Sequence, residues 1–235
     1  MPKQAVLVTG GAKRIGRAIS VFLAVKGFDV ALHYDSSEKE AKEVKKEIEA
    51  LGQKCILFKA DLNKIEEVKY LIQKSKDSFS VLSLLINNAS IFEEGLFIDT
   101  DTKQFDRHFN INFKAPFILS QNFAKLFQKG QIINMLDTNI IRKNSKYFAY
   151  NLSKKLLYEF TKMSAYELGP RIRVNAIAPG PILPPKGKNK INLNSVPLKK
   201  QGDFKNITQA INYLIENSFV TGECLFVDGG KHLIN

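Results

Sequence analysis

Hydrophobic positions follow two different spacings along the chain. Short apolar runs at 4–9, 28–34, 54–60, 81–87, 131–136, 171–177 and 225–228 predict strands. Between them, apolar residues recur every three or four positions, as at 15, 18, 19, 22 and 23, and this spacing predicts helices. Regular alternation of strands and helices predicts an α/β fold, a single-domain Rossmann-type doubly wound parallel sheet of about seven strands with helices on both faces. We assign residues 1–235 to that domain, with a short substrate loop at about 181–202.

Several helix ends carry sequence signals. Ser37 with Glu40, and Asn63 with Glu66, have the spacing of a capping box and predict the starts of two helices. Gly52 predicts the end of the first of them. A long helix is predicted over 102–129.

Composition limits the classes of protein. Hydrophobic residues make up 44% of 235 residues, which suits one globular domain, and no run approaches the ~20 apolar residues of a membrane span. The start of the chain lacks a signal-peptide pattern. Cys55 and Cys224 show no metal-ligand spacing, so we predict buried thiols, no metal and a cytoplasmic protein without a membrane partner.

The net charge of +12 raises the question of a polyanionic partner. Most lysines, however, alternate with glutamates along predicted helices, as over 42–46, which is typical of solvated helix faces. A denser group lies in the predicted loop, at Lys186, Lys188, Lys190, Lys199 and Lys200. No nucleic-acid-binding motif accompanies these lysines, so we predict no nucleic-acid partner.

The first strand runs into a glycine-rich turn, Thr-Gly-Gly-Ala-Lys-Arg-Ile-Gly at 9–16, and then into a helix. Glycines let the backbone approach a pyrophosphate, and the helix N-terminus offers free amides. The expected phosphate contacts are Gly10, Lys13, Arg14, Ile15 and Gly16. Arg14 stands where many such turns have glycine. Its guanidinium can bridge phosphate and substrate, although the position also suits a solvent-exposed arginine.

The end of the second strand bears on the choice of cofactor. If the strand ends at Tyr34, the position that faces the ribose is neutral, NADP fits, and His33, Ser36 and Ser37 can contact the extra phosphate. If it ends one residue later, Asp35 favours NAD. The sequence leaves both open, with NADPH preferred and NAD not excluded, and Ser37 also suits a helix cap.

A tyrosine and a lysine stand one helical turn apart near the middle of the chain. Tyr150 and Lys154 project from one helix face, where the ammonium favours the phenolate and is expected to lower the tyrosine pKa. Such a tyrosine can donate a proton, and the lysine can hold a ribose. Asp137 follows the fifth strand and can orient Tyr150 and relay protons, although a turn aspartate has the same sequence signature.

Asn112 precedes Pro116 by four residues within the long predicted helix. Proline has no N–H, so the carbonyl of Asn112 loses its usual helical partner. We expect that carbonyl to hold a water beside Lys154 and to serve the proton relay. A plain proline kink is the equally supported alternative.

Together these segments resemble the short-chain dehydrogenase/reductase family over essentially the whole chain. The matching pieces are T-G-G-A-K-R-I-G at 9–16, Asp61-Leu62, N-N-A-S at 87–90, Asn112, Y-N-L-S-K at 150–154, R-V-N-A-I-A-P-G at 173–180 and V-D-G-G at 227–230. Within the family the chain is similar to the pteridine reductases and the dihydromonapterin or dihydrofolate reductases. Arg14 replaces a glycine of the turn, Asp137 replaces the usual serine, and Phe92 matches the aromatic that stacks on the pterin.

The resemblance implies roles for many residues. Cofactor contacts are implied for the turn residues, for His33, Tyr34, Ser36 and Ser37, for Asp61 and Leu62 at the adenine, for Asn88, Ala89 and Ser90, for Lys154, and for Pro179 and Gly180 beside the nicotinamide. Substrate contacts are implied for Arg14, Ser90, Phe92, Asp137 and Tyr150, with the pterin between Phe92 and the nicotinamide. Catalysis is implied for Asp137, Tyr150, Lys154 and Asn112.

The expected activity is therefore NADPH-dependent hydride transfer to a pterin-type C=N bond of a dihydropterin, dihydromonapterin or dihydrofolate, by a homotetramer. A ketone reductase of the same family, acting for example on 3-oxoacyl thioesters, is the first alternative, and a non-catalytic regulatory protein is the second. Ser36 stands where pteridine reductases carry an arginine that grips the ribose phosphate. The lysines of the loop can attract a folate glutamate tail, but we expect them to be solvated.

Overall fold

A parallel sheet of seven strands forms the centre of the protein, in a computed structural model that describes residues 3–141, 146–183 and 193–234. The strands are β1 Gln4–Val8, β2 Asp29–Tyr34, β3 Cys55–Lys59, β4 Val81–Asn87, β5 Gly130–Met135, β6 Ile172–Pro179 and β7 Cys224–Val227. Their order across the sheet is β3-β2-β1-β4-β5-β6-β7. The order reverses between β1 and β4, and such a switch point opens a crevice at the carboxyl ends of the strands.

Helices cover both faces of this sheet. They are α1 Arg14–Val25, α2 Glu38–Ala50, α3 Ile65–Ser78, α4 Thr102–Phe109, α5 Ala115–Leu126, α6 Phe148–Leu168 and α7 Phe204–Glu216. The predicted doubly wound fold is confirmed. Within the described ranges, no helix is both long enough and apolar enough to cross a membrane.

The two faces of the sheet carry separate hydrophobic cores because successive side chains of a strand point to opposite sides. In β1, Val6 and Val8 pack into the core shared with α1, α2 and α7. Ala5 and Leu7 of the same strand pack into the core shared with α3 and α5. Alternate residues of one strand therefore pack against different sets of helices.

Two of the three predicted helix-end signals act differently in the structure. Ser37 occupies the N-cap position of α2, but its side chain makes no capping hydrogen bond. Helix α3 begins at Ile65, and Asn63 is not its cap because its side-chain oxygen accepts from Asn110 at 3.0 Å. Gly52 follows the last turn of α2 with a φ of +79°, as a helix-ending glycine does.

The long helix predicted over 102–129 is interrupted by a π-helical turn, Asn110–Lys114, that separates α4 from α5. The N–H of Ala115 donates to the carbonyl of Asn110, five residues back, and Pro116 occupies the first turn of α5. Proline has no N–H and crowds the preceding turn, which a widened turn relieves. The prediction of one regular helix over 102–129 was therefore wrong at this turn.

Both cysteines are buried thiols, as predicted. Burial disfavours the thiolate and raises the pKa of Cys55 and of Cys224 to about 12 each.

Candidate active site

The glycine-rich turn is bound to the end of β4 by side-chain amide and hydroxyl groups. Nδ2 of Asn88 donates to the carbonyl of Thr9 at 2.8 Å and to that of Gly10 at 3.2 Å. A Cβ added to Gly16 would lie 2.0 Å from the carbonyl oxygen of Gly10, so no side chain fits there. Gly10 itself has a φ of +62°, which favours glycine. These contacts hold the turn at the switch point between β1 and β4.

His33 supports this turn from beneath. Its Nδ1 accepts from the N–H of Gly10 at 3.0 Å, so Nε2 carries the hydrogen and donates to the carbonyl of Ala60 at 3.0 Å. Burial lowers the pKa of His33 and keeps the ring neutral. Both ring nitrogens are engaged within the protein, and the contact of His33 with a ribose phosphate stays a prediction.

Arg14 has left-handed backbone geometry, with a φ of +52°. This conformation is unfavourable by roughly 1–2 kcal/mol for a residue other than glycine. Its side chain is exposed, next to a groove of about 430 Å³ whose walls also include Phe22, Phe204 and Lys205. Among the predicted site residues, only Arg14 lines that groove. The neighbouring Lys13 forms an ion pair with Glu40 at 2.7 Å, and Ile15 is half-buried.

The second strand ends at Tyr34, and Asp35 lies beyond it with an exposed side chain. This is the boundary that leaves the position facing the ribose neutral. Ser36 is exposed and Ser37 is half-buried, and both follow the strand directly.

Two further predicted cofactor residues follow β3, the strand beside β2. Asp61 accepts from the N–H of Asn63 at 2.9 Å, and its own N–H donates to Glu67 at 2.6 Å. Leu62 is buried in the core. The carboxyl ends of β2 and β3 thus place these residues beside Tyr34, whose carbonyl accepts from Ala60 at 3.1 Å.

Asp137, Tyr150 and Lys154 form one cluster at the carboxyl end of β5. The Tyr150 hydroxyl donates to Oδ2 of Asp137 at 2.9 Å, while Oδ1 of that carboxylate accepts from the N–H of Asn139 at 2.7 Å. Nζ of Lys154 donates to the carbonyl of Met135 at 2.8 Å and lies 6.0 Å from the Tyr150 ring centroid. The structure therefore brings the three side chains together.

Burial governs the protonation of this cluster. Desolvation, then the charge and hydrogen bond of Asp137, raise the pKa of Tyr150 well above its usual value of 10.0. Desolvation lowers the pKa of Lys154 to about 8, against an opposing effect of Asp137. The predicted lowering of the Tyr150 pKa was wrong because the phenol is buried and the charge that acts on it is the Asp137 carboxylate, while the lysine bonds to a backbone carbonyl. Tyr150 is consequently a protonated donor at neutral pH.

Asn112 ties three segments together through its side-chain amide. Its Oδ1 accepts from the N–H of Ile91 at 2.9 Å and from the Ser90 hydroxyl at 3.1 Å. Its Nδ2 donates to the carbonyl of Ile91 at 3.1 Å and to the Ser153 hydroxyl at 3.2 Å. The fully buried amide thus orients the segment after β4 against α6. The water expected at its backbone carbonyl stays a prediction.

Phe92 lies at the open side of the cluster and is 45% exposed. Its ring meets Tyr150 edge-on, with centroids 4.6 Å apart. One face of Phe92 stacks on Tyr147 at 4.1 Å. The Tyr147 hydroxyl donates to Glu94 at 2.8 Å, which fixes the stack. Phe92 therefore offers an aromatic surface next to the tyrosine hydroxyl, as a flat heterocycle would need.

The remaining predicted residues lie at the edges of the crevice. Pro179 ends β6, and the N–H of Gly180 donates to the carbonyl of Val227 at 3.0 Å. Ala89 donates its N–H to the Thr9 hydroxyl at 3.0 Å. Of the loop lysines, Lys199 and Lys200 are exposed, whereas Lys186, Lys188 and Lys190 lie outside the described residues.

Sequence reasoning missed Tyr147 and Ser153, which position Phe92 and Asn112. Each lies three residues from Tyr150, so that helical spacing was the available signal. Their partners, at 92 and 112, are far away in the chain, and only the fold brings them together.

A dinucleotide-type turn at a switch point, facing a buried tyrosine and lysine, defines a class of α/β oxidoreductases. Residues 4–194 match the family model described as short chain dehydrogenase, and the chain belongs to that family.

Relatives within the family have different activities. The chain is 30% identical to a 3-oxoacyl-[acyl-carrier-protein] reductase FabG of Staphylococcus epidermidis, over 98% of this chain and 99% of the relative. It is 32% identical to a 3-oxoacyl-[acyl-carrier-protein] reductase of Synechocystis, over 97% and 96%. Among solved structures, FolM alternative dihydrofolate reductase 1 from Brucella suis, in complex with NADP, is 37% identical with a TM-score of 0.91, covering 98% of this chain and 96% of that one.

Proposed function

We propose that the protein is an NADPH-dependent reductase of a pterin-type C=N bond, acting on a dihydropterin, dihydromonapterin or dihydrofolate. The observation that carries the proposal is the hydrogen bond of 2.9 Å from the Tyr150 hydroxyl to the Asp137 carboxylate, beside the exposed ring of Phe92. A carboxylate can accept the amino and ring N–H groups of a pterin, which a serine hydroxyl does less strongly.

The chain's residues fit the dinucleotide. A Cβ at Gly16 would lie 2.0 Å from the carbonyl oxygen of Gly10, and one at Gly10 would lie 3.1 Å from the Cα of Ala89. The N-terminus of α1, at Arg14, lies between these two glycines. Because β2 ends at Tyr34, the carboxyl end of the strand is neutral and does not repel a 2′-phosphate. The Brucella suis protein was solved with NADP, which supports the same preference here. NADPH, when bound, supplies the hydride to the ring carbon.

The protein residues supply the proton and the orientation. Tyr150 keeps its hydroxyl hydrogen at neutral pH because its pKa is raised, so the phenol can deliver that proton to the ring nitrogen. For this step the hydroxyl hydrogen turns from Oδ2 of Asp137 towards the ring nitrogen. The Lys154 ammonium, 6.0 Å from the phenol ring centroid, attracts the phenolate that remains, but this attraction does not outweigh the effects of burial and of Asp137.

The second candidate is reduction of a 3-oxoacyl thioester, and relatives at 30% and 32% identity with that activity favour it. The two candidates differ in what stands at position 137. A carboxylate facing the oxygen of a ketone would repel the developing alkoxide, whereas a hydroxyl would stabilise it. Asp137 therefore favours the pterin substrate. The intact cluster also weighs against a purely regulatory role.

The loss of NADPH absorbance after addition of each substrate tests both candidates. We expect oxidation of NADPH with a panel of dihydropterins and dihydrofolate, and none with an acetoacetyl thioester. Asp137→Ser is expected to lower the pterin kcat by roughly 10²-fold or more, while NADPH affinity measured well below pH 8 stays unchanged. Turnover of the thioester without turnover of any pterin would reject the proposal, and NADH in place of NADPH tests the cofactor preference.

We also propose a homotetramer, the prediction from family resemblance. Of the phenylalanines on the interrupted helix, Phe123 belongs to the core, whereas Phe117 is 39% exposed beside Phe113 and Phe160. Light scattering of the purified protein measures the state directly, and a mass near that of one chain, 26.5 kDa, would reject it.

A further inference from the structure

A second buried carboxylate, Asp228, lies behind the catalytic cluster at the end of β7. Its side chain is 1% exposed. Oδ2 accepts from the Thr138 hydroxyl at 2.5 Å and from the N–H of His232 at 2.7 Å. Oδ1 accepts from the N–H of Gly230 at 2.9 Å, and Nδ1 of His232 lies 3.0 Å from both oxygens. Asp228 thus collects donors from two segments.

These donors keep the buried group charged. Burial by itself raises the pKa of Asp228, but the hydrogen bonds from Thr138, His232 and Gly230 outweigh it and lower the pKa below its usual value. Loss of a hydrogen-bond donor would leave the desolvation of this buried carboxylate uncompensated, which is strongly unfavourable. The Thr138 hydroxyl, itself buried, is therefore held firmly in one position.

Thr138 is the residue directly after Asp137, in a tight turn. The turn is closed by a hydrogen bond of 3.1 Å from the N–H of Ile140 to the carbonyl of Asp137, and the N–H of Asn139 donates to the Asp137 side chain. Rotation of this turn would carry the Asp137 carboxylate away from Tyr150. Within the turn, Thr138 supplies the hydroxyl that bonds across to the C-terminal segment.

Asp228 also contacts other segments of the crevice. A Cβ added to Gly180 would lie 2.5 Å from the Cα of Asp228, so the two backbones are in direct contact. The carbonyl of Gly229 accepts from the N–H of Leu198 at 3.1 Å, and Pro197 packs on Gly230. Asp228 and the two glycines after it therefore connect the turn that bears Asp137 with Gly180 and with the end of the substrate loop.

We propose that Asp228 is a positioning residue, which aims the Asp137 carboxylate at Tyr150 by holding the Thr138 hydroxyl. The proposal rests on the proposed function, because it assigns Asp137 to the reacting cluster. Small displacements of a positioned group, about 1 Å, are enough to cost roughly 10²-fold in rate.

Three variants of Thr138 and Asp228 test it with dihydropterin as substrate. Thr138→Val and Asp228→Asn are expected to lower kcat at least ~10-fold, with the KM for NADPH within about twofold of wild type. Thr138→Ser keeps the hydroxyl and is expected to retain kcat. Thr208→Val, which removes another buried threonine hydroxyl, bonded to the carbonyl of Lys205 at 3.1 Å, is the matched control for stability.

A measurement without substrate separates this inference from the proposed function. NMR titration of the Lys154 Nζ group reports the nearby Asp137 charge, which raises the pKa of Lys154. We expect Thr138→Val to lower that pKa in the same direction as Asp137→Asn, and Thr138→Ser and Thr208→Val to leave it unchanged. An unchanged titration in Thr138→Val, or an equal loss of kcat in Thr138→Ser, overturns the inference even if wild type reduces pterins. Absence of pterin turnover in wild type rejects only the proposed function, and the titration still decides the positioning role.

Discussion

The Lys154 ammonium donates a hydrogen bond of 2.8 Å to the backbone carbonyl of Met135, two residues before Asp137. This bond anchors the lysine beneath the crevice, at the strand end that also presents the carboxylate. Burial lowers the pKa of the ammonium to about 8, so its charge is lost within an accessible pH range. The pH dependence of binding and of stability can therefore report on this single group.

The first prediction concerns NADPH affinity. If Lys154 holds the ribose as an ammonium, affinity is constant below pH 8 and falls above it, where the charge is lost. Asp137 raises the pKa of Lys154, so Asp137→Asn is expected to move the midpoint to lower pH. Fluorescence titration of NADPH between pH 6 and pH 10 measures both midpoints, and a common midpoint in the two proteins would contradict the coupling.

The second prediction concerns stability. The pKa of Lys154 is lower in the folded than in the unfolded chain, so the unfolded chain binds more protons between about pH 8 and pH 10.5. The burial cost is fully present below pH 8, and the contribution of Lys154 to the free energy of unfolding rises with pH across that window, by about 1 kcal/mol per unit at most. Denaturant unfolding of Lys154→Met is expected to lack this rise, whereas Lys155→Met retains it.

The third prediction is a trade between stability and affinity at Arg14. Its φ of +52° destabilises the folded chain when the residue is not glycine. Glycine removes this strain but makes the unfolded chain more flexible, which favours unfolding. Arg14→Gly is expected to unfold with a free energy up to about 1 kcal/mol higher, yet to bind NADPH and pterin more weakly. Arg17→Gly, at a regular helical position, should lose stability instead. Loss of stability in Arg14→Gly would show that the backbone there is not strained.

The fourth prediction concerns the aromatic stack at Phe92. Phe92→Leu removes the aromatic face, so the KM for the dihydropterin is expected to rise about tenfold while the KM for NADPH is unchanged. Tyr147→Phe keeps the stacked ring but loses the hydrogen bond to Glu94, and a smaller rise, about threefold, is expected. Phe97→Leu is the control, because Phe97 is 69% exposed and packs on Phe148. Equal KM values in Phe92→Leu and Phe97→Leu would contradict a substrate role.

The alternation of apolar runs was sufficient to predict the sheet, because burial on both faces leaves a strong signal in each strand. The sequence left the end of β2 open between Tyr34 and Asp35, because that end depends on where β2 stops pairing with β3, at Lys59. The supporting bonds of His33, and the failure of Lys154 to lower the Tyr150 pKa, were not foreseen for a common reason. Each side chain bonds to a backbone carbonyl, of Ala60 and of Met135, and such partners leave no trace in the pattern of side chains.

The cluster of Asp137, Tyr150 and Lys154 was predictable because local spacing and strand ends place all three. Asp228 was not, although its Asp-Gly-Gly segment was recognised, because its partner Thr138 lies 90 residues earlier in the chain. Pro116 predicted an irregularity in the helix, but not its form. Whether the helix kinks or forms a π-helical turn depends on how the segments packed against it are placed.

That widened turn contains one residue more than a regular helix would use over the same rise. Deleting a single residue within Asn110–Lys114 would therefore let α4 and α5 join as one regular helix of nearly the same length, with each half facing as it does now. Phe123 would keep its place in the core, whereas Pro116 would crowd the carbonyl of the residue four positions before it. A loss of length at this turn would thus disturb the segment around Asn112, which serves the site, more than the core of the fold.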